Sequence, residues 1–504
     1  MAALRTRGPD LKHINNRISR PSVDMTNLLF IFTDEQRADT LEAYGNRRIQ
    51  MPNLNRLASE AVVFEKAYVT QPVCSPSRSS IITGLYPHTT GCRANNIPLR
   101  PDTLCLPEML PPDKYATAYH GKWHLGDEIF PQHGFREWRS IEDGYRKYYR
   151  AGRDTQAVST YHQFLVQNGF TPSEGKYFSR GECARLPEPF GKPAYLTREA
   201  SRFIHEHSDQ PFVLYVNFLE PHMPFFGPRD NQHSPDEVSL PPNFNAVPTE
   251  DQPLKARLFQ QYYYELGHGG FPLRTEADWR RLIANYWGLC SLVDTHAATI
   301  LDALKQCGVY DETIIVFTSD HGDMMGSHRL LAKGVMFEEA ARVPLIIRLP
   351  GQKEHASIAP PVGQIDLVPT LLDLLGEPIP PYLEGRSLRP VLDGRERPKD
   401  DVIMEWNGSD TGVSRLDSRL NPALVGKASR AVADPVRTIV TPEGWKFNWT
   451  GLGENELYDL NTDPYETRNL AGKPELRPLI FGLADRIRAW QARTGDRVGL
   501  SSLT

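Results

Sequence analysis

The 504-residue sequence predicts an α/β fold, with a mostly parallel central sheet flanked by helices and a smaller C-terminal α+β domain carrying a short antiparallel sheet. Three observations lead there. Over residues 27–380, nearly unbroken apolar runs of strand length alternate with amphipathic helical stretches, the pattern of strands covered on both faces. Beyond about residue 380 the runs shorten and crowd together, as antiparallel strands do. With 40% hydrophobic and 24% charged residues, the chain has the composition of a soluble globular protein, and its length suits one large core and one smaller one.

Taken in order, residues 1–26 read as an N-terminal extension, 27–380 as the main domain and 381–504 as the C-terminal α+β domain. "NLLFIFT" (27–33) is a strand buried on both faces, and "PNLNRLASEAVVF" (52–64) follows with the helical spacing of Leu54, Leu57, Ala58 and Ala61. In "QPVCSPSRSSIITGLYPH" a helix begins near Cys74: Pro76 suits a first helical position, Ser75 a cap, and Gly84 a stop. "YLTREASRFIHEH" (195–207) reads as helix and "FVLYVNF" (212–218) as strand. A long helical tract (276–307), the strands "TIIVFTS" (313–319) and "VPLIIRL" (343–349), and the helix "QIDLVPTLLDLLG" complete the main domain. The C-terminal domain consists of "DVIMEW", "VRTIV", "WKFNW" and "NELYDL", then the amphipathic helix "ELRPLIFGLADRIRAWQAR". Two Pro-, Gly- and aromatic-rich regions, 127–190 and 223–275, read as long excursions over the sheet edge, of the kind that shape a substrate pocket.

Several partner classes are not expected. A net charge of −5 gives no electrostatic case for nucleic acid or an acidic membrane. The arginines and lysine near the start precede no apolar h-region, and "NLLFIF" is too short for one. No apolar run approaches the roughly 18 residues of a membrane span. Six cysteines without CxxC spacing argue against a disulfide scaffold or zinc ribbon. The expected location is therefore the cytoplasm.

The chemistry-bearing residues fall where such a sheet would gather them. Asp34 follows the first strand, His222 a later one, and Asp320 with His321 a third, and ligands of open α/β sheets bind beyond the carboxyl ends of the strands. Two carboxylates and an imidazole suit a divalent cation, the oxygens favouring calcium, magnesium or manganese and the histidine a transition metal. Cys74 stands at a helix amino end, which favours anions and lowers a thiol pKa. "YHGKWHLG" sets Lys122 and His124 on one face if it is extended, with Gly121 and Gly126 allowing close backbone approach, and Lys333 precedes a further helix. With Arg78, this set would hold and polarise a tetrahedral oxyanion such as sulfate or phosphate. Tyr262, Tyr263, Tyr264 and Trp279 are candidates for an aromatic or carbohydrate pocket, though such clusters more often belong to a core.

Over most of its length the chain resembles the type I sulfatases of the alkaline phosphatase superfamily. The resemblance rests on "NLLFIFTDEQRADTLEAYGN", the Cys-x-Pro-x-Arg element of Cys74, Pro76 and Arg78, "GKWHLG", "PHMPF", "TSDHGDMMGSHRLLAKG" and "ELYDLNTDPYETRNL". It implies an alkaline-phosphatase-like fold, with residues 27–380 as the catalytic domain. It further implies hydrolysis of sulfate esters, and conversion of Cys74 to formylglycine by a separate maturing enzyme. The aldehyde hydrate has two hydroxyls, so one attacks sulfur while the other, deprotonated, collapses to the aldehyde and expels sulfate. Carried over, the metal ligands are Asp34, modified Cys74, Asp320 and His321. Arg78 orients the hydrate, Lys122 and Lys333 bind sulfate oxygens, and His124 and His222 supply acid–base help or leaving-group contacts.

Two positions depart from the common pattern. Glu35 stands where many sulfatases have a second Asp, and is a ligand, a supporting group or neither; His321 stands where many have Asn. An Asp-His pair occurs in choline-sulfatase-like and phosphonate-monoester-hydrolase-like relatives and makes manganese a rival to calcium. The alternative activity is phosphonate monoester or phosphodiester hydrolysis on the same scaffold. Sulfatases of this family typically carry Lys and His at the positions of Lys122 and His124, whereas the phosphonate enzymes tend to have uncharged hydroxyl residues there. A non-catalytic binding protein has no need of a modifiable cysteine. The expected partners are a small-molecule or sugar sulfate ester and the maturing enzyme, with a homo-oligomer left open.

Overall fold

A computed structural model describes residues 26–408 and 425–503; all but the last residue of the N-terminal extension lies outside these. The main sheet contains β1 (Asn27–Asp34), β2 (Val62–Tyr68), β3 (Ala116–Gly121), β4 (Glu137–Ser140), β5 (Phe212–Pro221), β6 (Thr313–Ser319), β7 (Arg342–Arg348), β8 (Ala356–Ile358) and β9 (Val362–Gly363). Their order is β4-β3-β5-β1-β6-β7-β2-β8, with β9 paired to β2. β1 lies between β5 and β6 and is parallel to both. Its residues divide the interior: Leu29 and Ile31 face a core with the helices Pro52–Ser59, Lys192–Glu206 and Glu276–Gln306. Leu28, Phe30 and Phe32 face the opposite core, with the helices Cys74–Thr83 and Leu367–Leu375. Burial on both faces is what the unbroken apolar run encodes.

Some elements differ from expectation. The tract 52–64 is a helix only to Ser59; Val62, Val63 and Phe64 are β2, because a run of β-branched and aromatic residues suits a strand that finds partners in β7 and β8. β7 runs antiparallel to both β6 and β2. The first excursion supplies the edge strand β4, and the second contains the helix Leu254–Leu266.

The second sheet is antiparallel throughout, in the order β10 (Val402–Trp406), β11 (Val436–Val440), β12 (Trp445–Thr450), β13 (Glu456–Asp459). Ile439, Phe447, Trp449 and Leu457 pack on Ile480, Leu483, Ile487 and Trp490 of the helix Arg477–Thr494. All six cysteines are unpaired, and among the described residues no helix is long and apolar enough to cross a membrane.

Candidate active site

Because β5, β1 and β6 are parallel neighbours, their carboxyl ends deliver His222, Asp34 and the Asp320–His321 pair to one edge of the sheet. The turn after β1 is tight: Glu35 has φ 70°, and its N–H donates to Asp320 Oδ1 at 3.1 Å. A left-handed non-glycine residue held by such a contact is a common feature of functional sites.

Cys74 is the first residue of the helix Cys74–Thr83, with Val73 in the extended capping position and Gly84 closing the helix at φ 69°. Ser75 therefore is not the cap; its hydroxyl donates to His124 O at 2.7 Å, and Pro76 lies in the first turn. Cys74 Sγ lies 3.2 Å from His321 Nε2 and 3.7 Å from Asp34 Oδ1. Arg78, one turn on, donates from Nη2 to Asp34 Oδ2 at 2.9 Å and from Nε to Asp320 Oδ2 at 2.8 Å. Its Nη1 reaches Lys122 O at 2.7 Å and Asn217 Oδ1 at 2.8 Å. One guanidinium thus fixes both carboxylates and the start of the Lys122 loop.

Lys122 Nζ donates to Asp34 Oδ2, and Lys333 Nζ to Glu35 Oε2 at 2.7 Å. The segment from Lys122 to His124 is not extended: His124 has φ 59°, and the Trp123 and His124 N–H groups donate to the two Glu128 carboxylate oxygens at 2.8 and 2.7 Å. Both side chains still reach the site, because Trp123 turns into the core instead. Gly121 permits this, since a Cβ there would meet Asn217 O at 2.1 Å. His124 Nε2 lies 2.9 Å from Asn96 Oδ1 while Nδ1 is buried without a partner. His222 donates from Nδ1 to Met223 O at 2.8 Å, leaving Nε2 to face Glu35 Oε2 at 3.3 Å.

The electrostatics follow from burial crossed with these pairings. Burial works against the Asp34 carboxylate, but Lys122, His222, Arg78 and Lys333 together hold its pKa well below the usual range. Burial pushes Glu35 up to about 8, against the pull of Lys333. Burial and Lys122 hold His124 well below the usual imidazole value; burial and Lys333 do the same for His222. For Cys74 burial and Asp34 raise the thiol pKa, yet Lys122, Lys333 and His321 prevail and lower it.

Asp34, Cys74, Asp320 and His321 are all buried, and one donor atom from each lies within 4.8 Å of the others. His321 Nδ1 is committed to Gly322 O at 2.9 Å, which turns Nε2 toward the other three donors. Burial works against the imidazolium, yet Asp320 and Cys74 raise its pKa to about 9, and a bound cation would take the place of the Nε2 proton. Two carboxylate donors, a thiol position and an imidazole nitrogen fit a divalent cation. Glu35 binds Lys333 and faces His222, and its Oε1 is buried without a hydrogen-bond partner; one donor atom from each of Glu35, Asp34 and His222 also lies within 4.8 Å of the others.

All nine site residues expected from the sequence, Arg78 among them, thus border one cluster. Three contributors were missed. Asn217 had a legible signal, a polar residue in an otherwise apolar buried strand; Glu128 and Asn96 lie in irregular segments and had none. Of the aromatic candidates, Trp279 is buried in the main core and Tyr264 is 48% exposed.

The sulfatase family matches residues 26–377. An ulvan-active sulfatase of Formosa agariphila is 28% identical, covering 93% of this chain and 82% of that protein. A choline-sulfatase of Rhizobium meliloti is 29% identical, covering 89% and 83%. A multifunctional alkaline phosphatase superfamily protein of Trinickia caryophylli is 27% identical, covering 94% and 96%. Among solved structures, a phosphonate monoester hydrolase from Silicibacter pomeroyi superposes with a TM-score of 0.76 at 25% identity, covering 93% of this chain and 96% of that one. With a family match over residues 26–377, well over half of its length, the chain belongs to the sulfatase family.

Proposed function

We propose that this protein hydrolyses sulfate esters to an alcohol and inorganic sulfate, with Cys74 converted to formylglycine and a divalent cation held by Asp34, residue 74, Asp320 and His321. The observation that carries this is the position of Cys74: a thiol 2% exposed, at a helix amino end, inside a cage of two carboxylates, an imidazole and the cations Arg78, Lys122 and Lys333. A buried structural cysteine has no use for that company.

When present, the cation supplies Lewis acidity and the aldehyde hydrate supplies the attacking hydroxyl. The remaining work belongs to the chain. Arg78 holds Asp34 and Asp320 in place against their mutual repulsion. Lys122 and Lys333, each buried beside a carboxylate, are placed to bind sulfate oxygens as charge builds on them. His222 Nε2 and His124 Nδ1 are the imidazole atoms available to the departing oxygen, each fixed by a bond at the opposite ring nitrogen. Because Cys74 is buried, the maturing enzyme must act before the chain closes around it. Calcium is the favoured ion, with manganese the rival that His321 introduces.

The phosphonate reading has its own support in the Silicibacter pomeroyi structure; Lys122 and His124 favour the sulfate reading, the first as a buried cation and the second as a neutral imidazole with a free ring nitrogen. The test is kcat/KM for a sulfate ester and a matched phosphonate monoester, measured on fully converted protein before and after chelation. The sulfate ester is expected to be the better substrate, chelation to abolish turnover, and calcium or manganese to restore it. A wide preference for the phosphonate across several leaving groups, or full activity in metal-free protein, would overturn the proposal.

A further inference from the structure

The excursion spanning residues 127–190 brings two side chains to the site that the chemistry above leaves unused. The Tyr145 ring lies 4.4 Å from the His124 imidazole, and its hydroxyl accepts a 2.7 Å hydrogen bond from Arg180 Nη2. That hydroxyl has no acceptor for its own proton among the described residues. Arg180 Nε donates to Glu142 Oε2 at 2.6 Å. Glu142 is shared with Lys192, so two cations stand on one carboxylate. Arg180 Nη1 has no hydrogen-bond partner among the described residues, and the side chain remains 30% exposed in a cleft that His222 also lines. Glu220 lines the same cleft, but burial raises its pKa to about 7, so it offsets only part of the surplus. The Arg180 charge is felt at both imidazoles, adding to Lys122 and Arg78 at His124 and to Lys333 and Lys122 at His222.

A partly desolvated guanidinium with a free edge, next to a hydroxyl with a free proton, matches a planar carboxylate. We propose that Arg180 and Tyr145 form a subsite for a carboxylate carried by the alcohol portion of the ester, so that the preferred substrate bears a second negative charge, as a sulfated sugar acid does. This rests on the sulfatase reading of the site. It places the long excursion in a definite role: the sheet edge holds the sulfate end, and the excursion selects the other.

The test separates the subsite from turnover by using Cys74→Ala protein, which retains an ester without hydrolysing it. Binding of two aryl sulfates, identical except for a ring carboxylate, is measured by calorimetry in this background. The carboxylate ester is expected to bind about tenfold more tightly, the worth of one charge-assisted hydrogen bond. Adding Arg180→Gln should erase the difference, Arg180→Lys restore part of it, and Tyr145→Phe reduce it. Equal binding of the two esters in the Cys74→Ala background, or a preference that survives Arg180→Gln, overturns the proposal. Should Arg180→Gln fail to fold, the parent comparison and Tyr145→Phe decide. Failure of the otherwise unaltered, converted protein to hydrolyse either ester counts against the sulfatase reading instead, and the binding result still judges the subsite.

Discussion

On the proposed sulfatase reading, Lys122 is the residue expected to separate sulfate from phosphonate chemistry. Its side chain is 1% exposed and its ammonium is bound to Asp34, whose carboxylate also takes Arg78. Removing it leaves Asp34 paired through Arg78 but takes a cation from the sulfate oxygens. Lys122→Ala is expected to lower kcat/KM for a sulfate ester by on the order of 10²–10³, the usual loss for one preorganised donor. Phosphonate hydrolysis should fall less, and the ratio of the two values is the measurement. An equal loss for both would assign Lys122 a merely structural part. The residue was legible from its setting in "GKWHLG", but the way it arrives was not. An extended segment would put Lys122 and His124 on one face by alternation, whereas the structure does it with a left-handed His124 and two N–H bonds to Glu128. Positive φ at a histidine leaves no trace in a sequence, and Glu128 lies in a stretch with no periodicity.

At the level of elements, strands buried on both faces announced themselves by their mostly apolar runs: "TIIVFTS" is β6 residue for residue. Direction was not legible, since a buried strand shows the same run whether parallel or antiparallel, and β7 proved antiparallel. The 52–64 tract misled because Ala58 and Ala61 continue a helical spacing into what pairing makes a strand. Nor did the sequence show what joins the two sheets. Lys446 of β12 is fully buried between Glu338, at 2.9 Å, and Glu466, at 2.8 Å. Glu338 opens the short helix before β7 and accepts the Tyr68 hydroxyl from the end of β2. Lys446→Met is therefore expected to destabilise the fold by about 3–5 kcal/mol, the cost of leaving a buried charge without its partner. Urea unfolding measures this, and Lys446→Met combined with Glu466→Gln should recover part of the loss. A cost below about 1 kcal/mol for the single change would mean the network contributes little to holding the sheets together.

Across the whole molecule, a sheet edge gathers residues from three parallel strands, a helix beginning at Cys74 completes the cage, and Lys446 ties the second sheet to Glu338 beside the first. The convergence of Asp34, His222, Asp320 and His321 could be read in advance because each follows a strand, and the family resemblance added Cys74 to the set. The excursion bearing Tyr145 and Arg180 could be expected only as a wall, since irregular segments give no register from which to place a side chain. The proposal that unites these parts is the conversion of one buried thiol. The most direct measurement is sulfate-ester turnover as a function of the fraction of Cys74 converted, with that fraction read by mass from the peptide containing it. Activity proportional to the converted fraction, and nearly absent from protein with only cysteine at residue 74, is the expected result; turnover at the full rate by wholly unconverted protein would contradict the account.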